Sequence, residues 1–148
     1  MRALYWYGIG ALLTMVWVLG GPVHADSVTF KAELRASSQT PPTHSNGTGS
    51  VTATYDTNSK VLTWKGTHSD LTGPATSAHF HGPAQAGQSA GVAIWISTKG
   101  TPLPASFEGQ ATLTDAPAAE MMAGLWYVNI HTARYPAGEI RGQLELVK

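Results

Sequence analysis

The sequence predicts an all-β fold, an antiparallel Greek-key sandwich or barrel with one short helix. Three observations carry this. Short runs alternate apolar and polar residues at the two-residue period of a strand, apolar spacing at helical period is nearly absent, and Gly, Pro, Ser, Thr and Asn punctuate the chain between the runs.

The first strand reads Val28 to Leu34, with Val28, Phe30, Ala32 and Leu34 on one side and Thr29, Lys31 and Glu33 on the other. Ser37 to Gly47, rich in Pro, Thr, Ser and Asn, reads as a loop. A hairpin follows, Ser50 to Tyr55 and Lys60 to Lys65, turning at Asp56 to Ser59. Next come a strand through His79-Phe80-His81, a Gly/Ala/Gln loop from Gly82 to Ala90, the apolar strand Gly91 to Ile96, and a strand from Phe107 to Leu113. Asp115 is placed to cap a helix over Pro117 to Ala123, with Pro near its start and Gly124 at its end.

Two final strands, Leu125 to Thr132 and Glu139 to Val147, are close enough to pair across a short Pro/Gly loop. A register opposing His131 to Glu139 also opposes Asn129 to Arg141 and Tyr127 to Gln143 on one face. It sets Ile130 against Ile140 and Val128 against Gly142 on the other. One face is then dry and the other polar.

The N-terminus reads as an export signal. Arg2 precedes an apolar run from Ala3 to Leu19, and Val23-His24-Ala25 offers small residues to a signal peptidase, so cleavage is expected after Ala25 and the mature domain spans 26–148. The run is near the lower limit for spanning a bilayer and lacks a following basic cluster. The expected location is periplasmic or secreted.

Nine Lys and Arg balance nine Asp and Glu, and the balance becomes −1 when Arg2 leaves with the leader. No basic cluster is available to neutralise a row of phosphates, and no basic amphipathic segment suits a membrane surface, so neither nucleic acid nor, after cleavage, membrane is expected as a partner. The chain has no cysteine. Thiolate metal sites and disulfides are therefore excluded, and stability must come from the core.

The chemistry concentrates in histidines. His79 and His81 share one face of their strand, and His131 lies out of phase with Val128 and Ile130, so three imidazoles leave the apolar phase together. Neutral imidazole suits copper and zinc, and such a set can surround one ion, copper being preferred and zinc the alternative. The competing account is three hydrogen-bonded histidines that only hold loops.

Glu139, beside His131 in the expected register, is a candidate either to orient an imidazole or to bind metal directly, and Arg141 lies next to it; the alternative is a cross-strand Glu/Arg pair. Tyr127 and Asn129 share the same polar face. His68, in Thr67-His68-Ser69-Asp70, is a candidate fourth ligand but reads better as a loop residue, and His44 falls in the loop before the hairpin. Met121 and Met122 read as core plugs and Trp64, Trp95 and Trp126 as core or rim packing, whereas an exposed row of tryptophans would suit a sugar. Asn46-Gly47-Thr48 matches a glycosylation acceptor, of consequence only in a eukaryotic secretory pathway. No His-Glu-x-x-His helix, P-loop or dinucleotide fingerprint is present, and the Gly-x-Ser-x-Gly match at Gly87-Gln88-Ser89-Ala90-Gly91 runs from a loop into a strand and so is not a nucleophile elbow.

The phrases His79-Phe80-His81-Gly82-Pro83-Ala84 and Tyr127-Val128-Asn129-Ile130-His131-Thr132, followed by Tyr135-Pro136-Ala137-Gly138-Glu139-Ile140-Arg141-Gly142-Gln143-Leu144, resemble the CHRD domain over about Val28 to Leu146. The module was first named in the chordin family and is widespread as a lone exported bacterial protein. In chordins it accompanies cysteine-rich domains that bind growth factors, and those are missing here. A weaker similarity is to the copper half of copper,zinc superoxide dismutase, which would imply a fold of that type. The chain departs from it in lacking the disulfide cysteines and a His/Asp cluster for zinc.

The expectation is thus an exported metal-binding protein serving extracytoplasmic copper handling or oxidative protection. Three protein ligands would leave a coordination position open to superoxide or peroxide, but no residue pattern signals turnover. The rival is a metal-free interaction module that binds a protein partner or a glycan.

Overall fold

The computed structural model describes residues 27–97 and 100–148. Nine strands form one antiparallel sheet, curled into a nearly closed barrel. They are β1 (Ser27–Arg35), β2 (Thr48–Asp56), β3 (Val61–Ser69), β4 (Ala75–His81), β5 (Val92–Trp95), β6 (Ser106–Thr112), β7 (Tyr127–Thr132), β8 (Ile140–Gln143) and β9 (Glu145–Leu146). The order across the sheet is β5-β4-β7-β8-β1-β2-β3-β6, with β9 paired to β1. Strands β5 and β6 form the two rims, and an isolated bridge from Ala75 to Leu103 helps bring the open sides together.

The alternation that predicted the strands also builds the interior. Phe30, Ala32 and Leu34 from β1, Val51 and Ala53 from β2, and Leu62 and Trp64 from β3 meet Ala78 and Phe80 from β4, Val128 and Ile130 from β7, and Ile140 from β8. Trp64 and Phe80 touch edge-on across the barrel, ring centres 5.2 Å apart. The core is therefore largely apolar, and the histidines leave it on the outward face.

The last two strands pair in the expected register, with Tyr127 opposite Gln143, Val128 opposite Gly142, Asn129 opposite Arg141 and Ile130 opposite Ile140, but the ladder ends there: the expected pair of His131 with Glu139 is not formed, and the Glu139 N–H donates to the Ile130 carbonyl at 2.7 Å. The expected strand Glu139 to Val147 is divided at Leu144, whose side chain is fully buried and whose N–H donates to the Trp126 carbonyl at 2.9 Å. The helix α1 spans Asp115–Met122, two residues earlier than its proline suggested. Asp115 does not cap it: Thr114 is the cap residue, and the Asp115 carboxylate instead accepts from Lys60 Nζ at 2.6 Å. Met121 is fully buried as expected, but Met122 is exposed. No helix among the described residues is long and apolar enough to cross a membrane. The expected signal peptide lies outside the described residues.

Candidate metal centre

Neighbouring strands bring the three histidines together. His79 and His81 leave β4 on its outward side, while Ala78 and Phe80 take the inward one. On β7 the outward positions are Tyr127, Asn129 and His131. The register sets Asn129 opposite His79 and Tyr127 opposite His81, with His131 one pair further along opposite Ser77. One nitrogen from each of His79, His81 and His131 lies within 4.8 Å of the other two. His79 and His81 are buried and His131 is half-buried.

The cover comes from residues 82–91, which fold back over this face. Gly82 makes the exit from β4 possible, because the Trp126 indole occupies the space where any Cβ would stand. The returning segment is held by the strands beneath it. Arg141 donates to the Gln88 carbonyl at 2.6 Å, Gln143 to the Ala84 carbonyl at 3.0 Å, and the Ala90 N–H to the Tyr127 hydroxyl at 3.2 Å.

These contacts also fix the imidazoles. His81 Nδ1 donates to the Ala90 carbonyl and His131 Nδ1 to the Pro136 carbonyl, each at 3.0 Å. A neutral imidazole carries one N–H, so the Nε2 atom of each of these rings is left with its lone pair. Both Nε2 atoms point at the same place, 2.9 Å from Asn129 Oδ1, and His131 Nε2 is also 3.1 Å from His79 Nδ1. Nitrogens bound about 2.0–2.1 Å from a tetrahedral zinc stand about 3.3 Å apart, so the His79–His131 spacing suits a shared ion. The backbone carbonyls on the far ring nitrogens are the kind of partner that fixes a ligating histidine's tautomer.

Electrostatics keep the rings neutral. Burial, then the His131 and His81 rings, push the His79 imidazole down to about 4. Burial also lowers His81 and His131 against the opposing pull of their carbonyl hydrogen bonds. At neutral pH all three therefore offer lone pairs.

The remaining candidates go elsewhere. Glu139 is fully buried, but its carboxylate turns away from the imidazoles: Oε1 accepts from Ser45 Oγ at 2.5 Å and the Thr72 N–H at 2.8 Å, and Oε2 from the hydroxyls of Thr72 at 2.7 Å and Thr132 at 2.5 Å. It neither orients His131 nor pairs with Arg141. Burial pushes the acid up, but its hydrogen bonds together outweigh this and hold it below the usual carboxylate range. Arg141 lies over the Tyr127 ring at 3.5 Å and pins the covering loop. His68 is on strand β3 rather than in a loop, opposite Gly49, with its ring near Phe107 and Nε2 3.4 Å from the Leu103 carbonyl, so it stands apart from the cluster. His44 is exposed.

Two neighbours of the cluster were under-read in the sequence. Of the tryptophans expected in core or rim packing, Trp64 and Trp126 are in the core, whereas Trp95, on the rim strand β5, is 51 % exposed and stands edge-on to His79, ring centres 4.2 Å apart. Asn129 was legible only as a residue on the same face, because one-dimensional spacing does not show a carboxamide lying between two imidazoles.

The model of the CHRD domain family matches residues 30–144, and the chain belongs to that family. No curated protein and no solved structure matches it.

Proposed function

We propose that this CHRD-domain protein binds one transition metal ion, copper before zinc, through His79, His81 and His131, and that it works outside the cytoplasm in copper handling or oxidative protection. The observation that carries the reading is the pair of Nδ1–H donors on His81 and His131. Both are spent on backbone carbonyls, so that two Nε2 lone pairs converge beside His79. Neutral, backbone-oriented imidazoles are the donor set that copper and zinc favour. A bound ion would supply Lewis acidity and, as copper, a one-electron couple. The chain's own part is to hold the nitrogens, keep them unprotonated and cover them with residues 82–91.

Equilibrium dialysis of the purified chain from Asp26 onward, with metal analysis, tests this. One equivalent of copper(II) or zinc(II) retained at neutral pH is expected, and none retained overturns the reading. A second reading is a metal-free interaction module. It draws on the rim strand β5, where Val92 and Trp95 are 43 % and 51 % exposed beside the histidine face. Failure to retain metal, together with capture of a protein or glycan that is lost on replacing Trp95, would favour it.

A further inference from the structure

We propose that Asn129 is the fourth ligand of the centre, its carboxamide oxygen closing the coordination position that three histidines leave open. Asn129 has this role only if the three histidines hold the ion as proposed above.

Geometry is the ground for it. Asn129 lies in the middle of the outward face, opposite His79 on one side and Arg141 on the other, and is 4 % exposed. Its Oδ1 is 2.9 Å from His81 Nε2 and 2.9 Å from His131 Nε2. Because each ring has already committed its N–H to a backbone carbonyl, neither Nε2 carries a hydrogen for that oxygen. The Asn129 oxygen thus faces two imidazole lone pairs at hydrogen-bonding distance with no proton on either line, an arrangement that favours a cation; without one, His131 Nε2 accepts from His79 Nδ1–H at 3.1 Å while the His81 lone pair stays opposed to the oxygen. With His79 Nδ1 3.1 Å from His131 Nε2, the converging set becomes three nitrogens and one oxygen.

A half-turn of the same carboxamide would serve the opposite end. Its Nδ2 would then donate to both lone pairs, and its oxygen would turn toward the side where Gln39 Nε2, buried and without a partner, lies against Gly138. In that orientation Asn129 competes with metal. The two roles predict opposite effects of removing the amide.

The chemical consequence concerns the class of site. Three protein ligands leave an exchangeable position for water or a small oxidant, whereas four make a closed centre that holds an ion without presenting it to substrate. A fourth ligand from Asn129 makes this a carrying or storage site.

The test uses copper(II) with the wild-type chain, Asn129→Ala and Asn129→Asp, reading affinity by dialysis, water-proton relaxation of the loaded protein and the copper(II) electron paramagnetic resonance spectrum. Coordination by Asn129 predicts low relaxation in the wild type. Asn129→Ala should bind about 10- to 100-fold more weakly, with higher relaxation as water enters. Asn129→Asp keeps an oxygen in place, so it should keep relaxation low and shift the spectrum, and it serves as the readout if Asn129→Ala does not fold. Affinity unchanged or raised in Asn129→Ala, or a wild-type relaxation already showing bound water, overturns the role of Asn129 while the metal reading stands. A wild type that retains no metal overturns both.

Discussion

The Thr132 hydroxyl donates to the Glu139 carboxylate at 2.5 Å, and this contact draws the acid away from His131, the neighbour of Thr132 in the chain. Four hydrogen bonds from Ser45, Thr72 and Thr132 make Glu139 a clamp that joins the β1–β2 and β3–β4 connections to the barrel. Glu139→Gln sets an amide N–H₂ against groups that can only donate or would have to turn over. The variant should lose about 1–3 kcal/mol of stability. Its copper affinity should stay within about twofold of wild type, since known second-sphere orienters cost about tenfold or more. Urea unfolding and dialysis on the same preparation separate the two effects.

Replacing His81 or His131 by Ala should abolish most metal retention, because each removes a ligand whose tautomer the backbone has fixed. His44→Ala and His68→Ala should retain one equivalent, since His44 is exposed and His68 lies by Phe107. Circular dichroism confirms the fold of each variant, and loss of metal from His68→Ala would show that it reaches the centre.

Acidification should weaken the metal-free fold. His79 is held to about 4 in the folded chain by burial and its histidine neighbours, against an ordinary value near 6.5. Between those values the unfolded chain takes up a proton that the folded chain refuses, so stability is full above about 6.5 and is lost as pH falls toward about 4. His81 and His131, lowered in the same direction, add to this. Protons compete with metal for the same nitrogens, so the fall in copper affinity should set in below the ordinary imidazole range rather than at it. Urea midpoints and dialysis at neutral pH and at about pH 5 check both statements.

Copper(II) should quench tryptophan emission through Trp95, whose ring centre is 4.2 Å from that of His79. Trp95→Phe should remove most of the quenched signal while leaving the stoichiometry at one. Zinc(II), with no unpaired electron, should bind with little quenching.

Exported protein should begin at Asp26, following the Val23-His24-Ala25 boundary. Intact mass of the periplasmic or secreted species is the measurement, and a membrane-held chain retaining Met1 would contradict it.

The strand register was legible because a one-residue slip between β7 and β8 would have turned Arg141 or Asn129 into the apolar interior in place of Ile140 or Ile130. For the same reason the shared face of His79, His81 and His131 could be read from spacing alone. Glu139 is misread from spacing because it lies just before β8, where the ladder has ended and the two-residue period no longer places the acid beside His131. The hydroxyls that capture it come from Ser45 and Thr72, distant in sequence and in segments with no periodic signal. His68 reads as a loop residue because Gly66 interrupts the apolar pattern of β3, yet the Phe107 ring fills the space beside that glycine and the pairing continues to Ser69. Spacing leaves Trp95 open between core and rim packing, and a rim strand with nothing beyond it leaves such a ring half in water.

The barrel's dry interior and its histidine face use the same strands but opposite sides of them, so selection can act on the two separately. A lineage could exchange His79, His81, Asn129 or His131 and keep every interior contact, losing the proposed centre while retaining the architecture. Membership of the family therefore does not by itself announce a metal protein. If the centre binds an ion as proposed, those four positions form a compact signature for sorting binding from non-binding descendants, and a small enough set to be transplanted onto another antiparallel barrel of matching register.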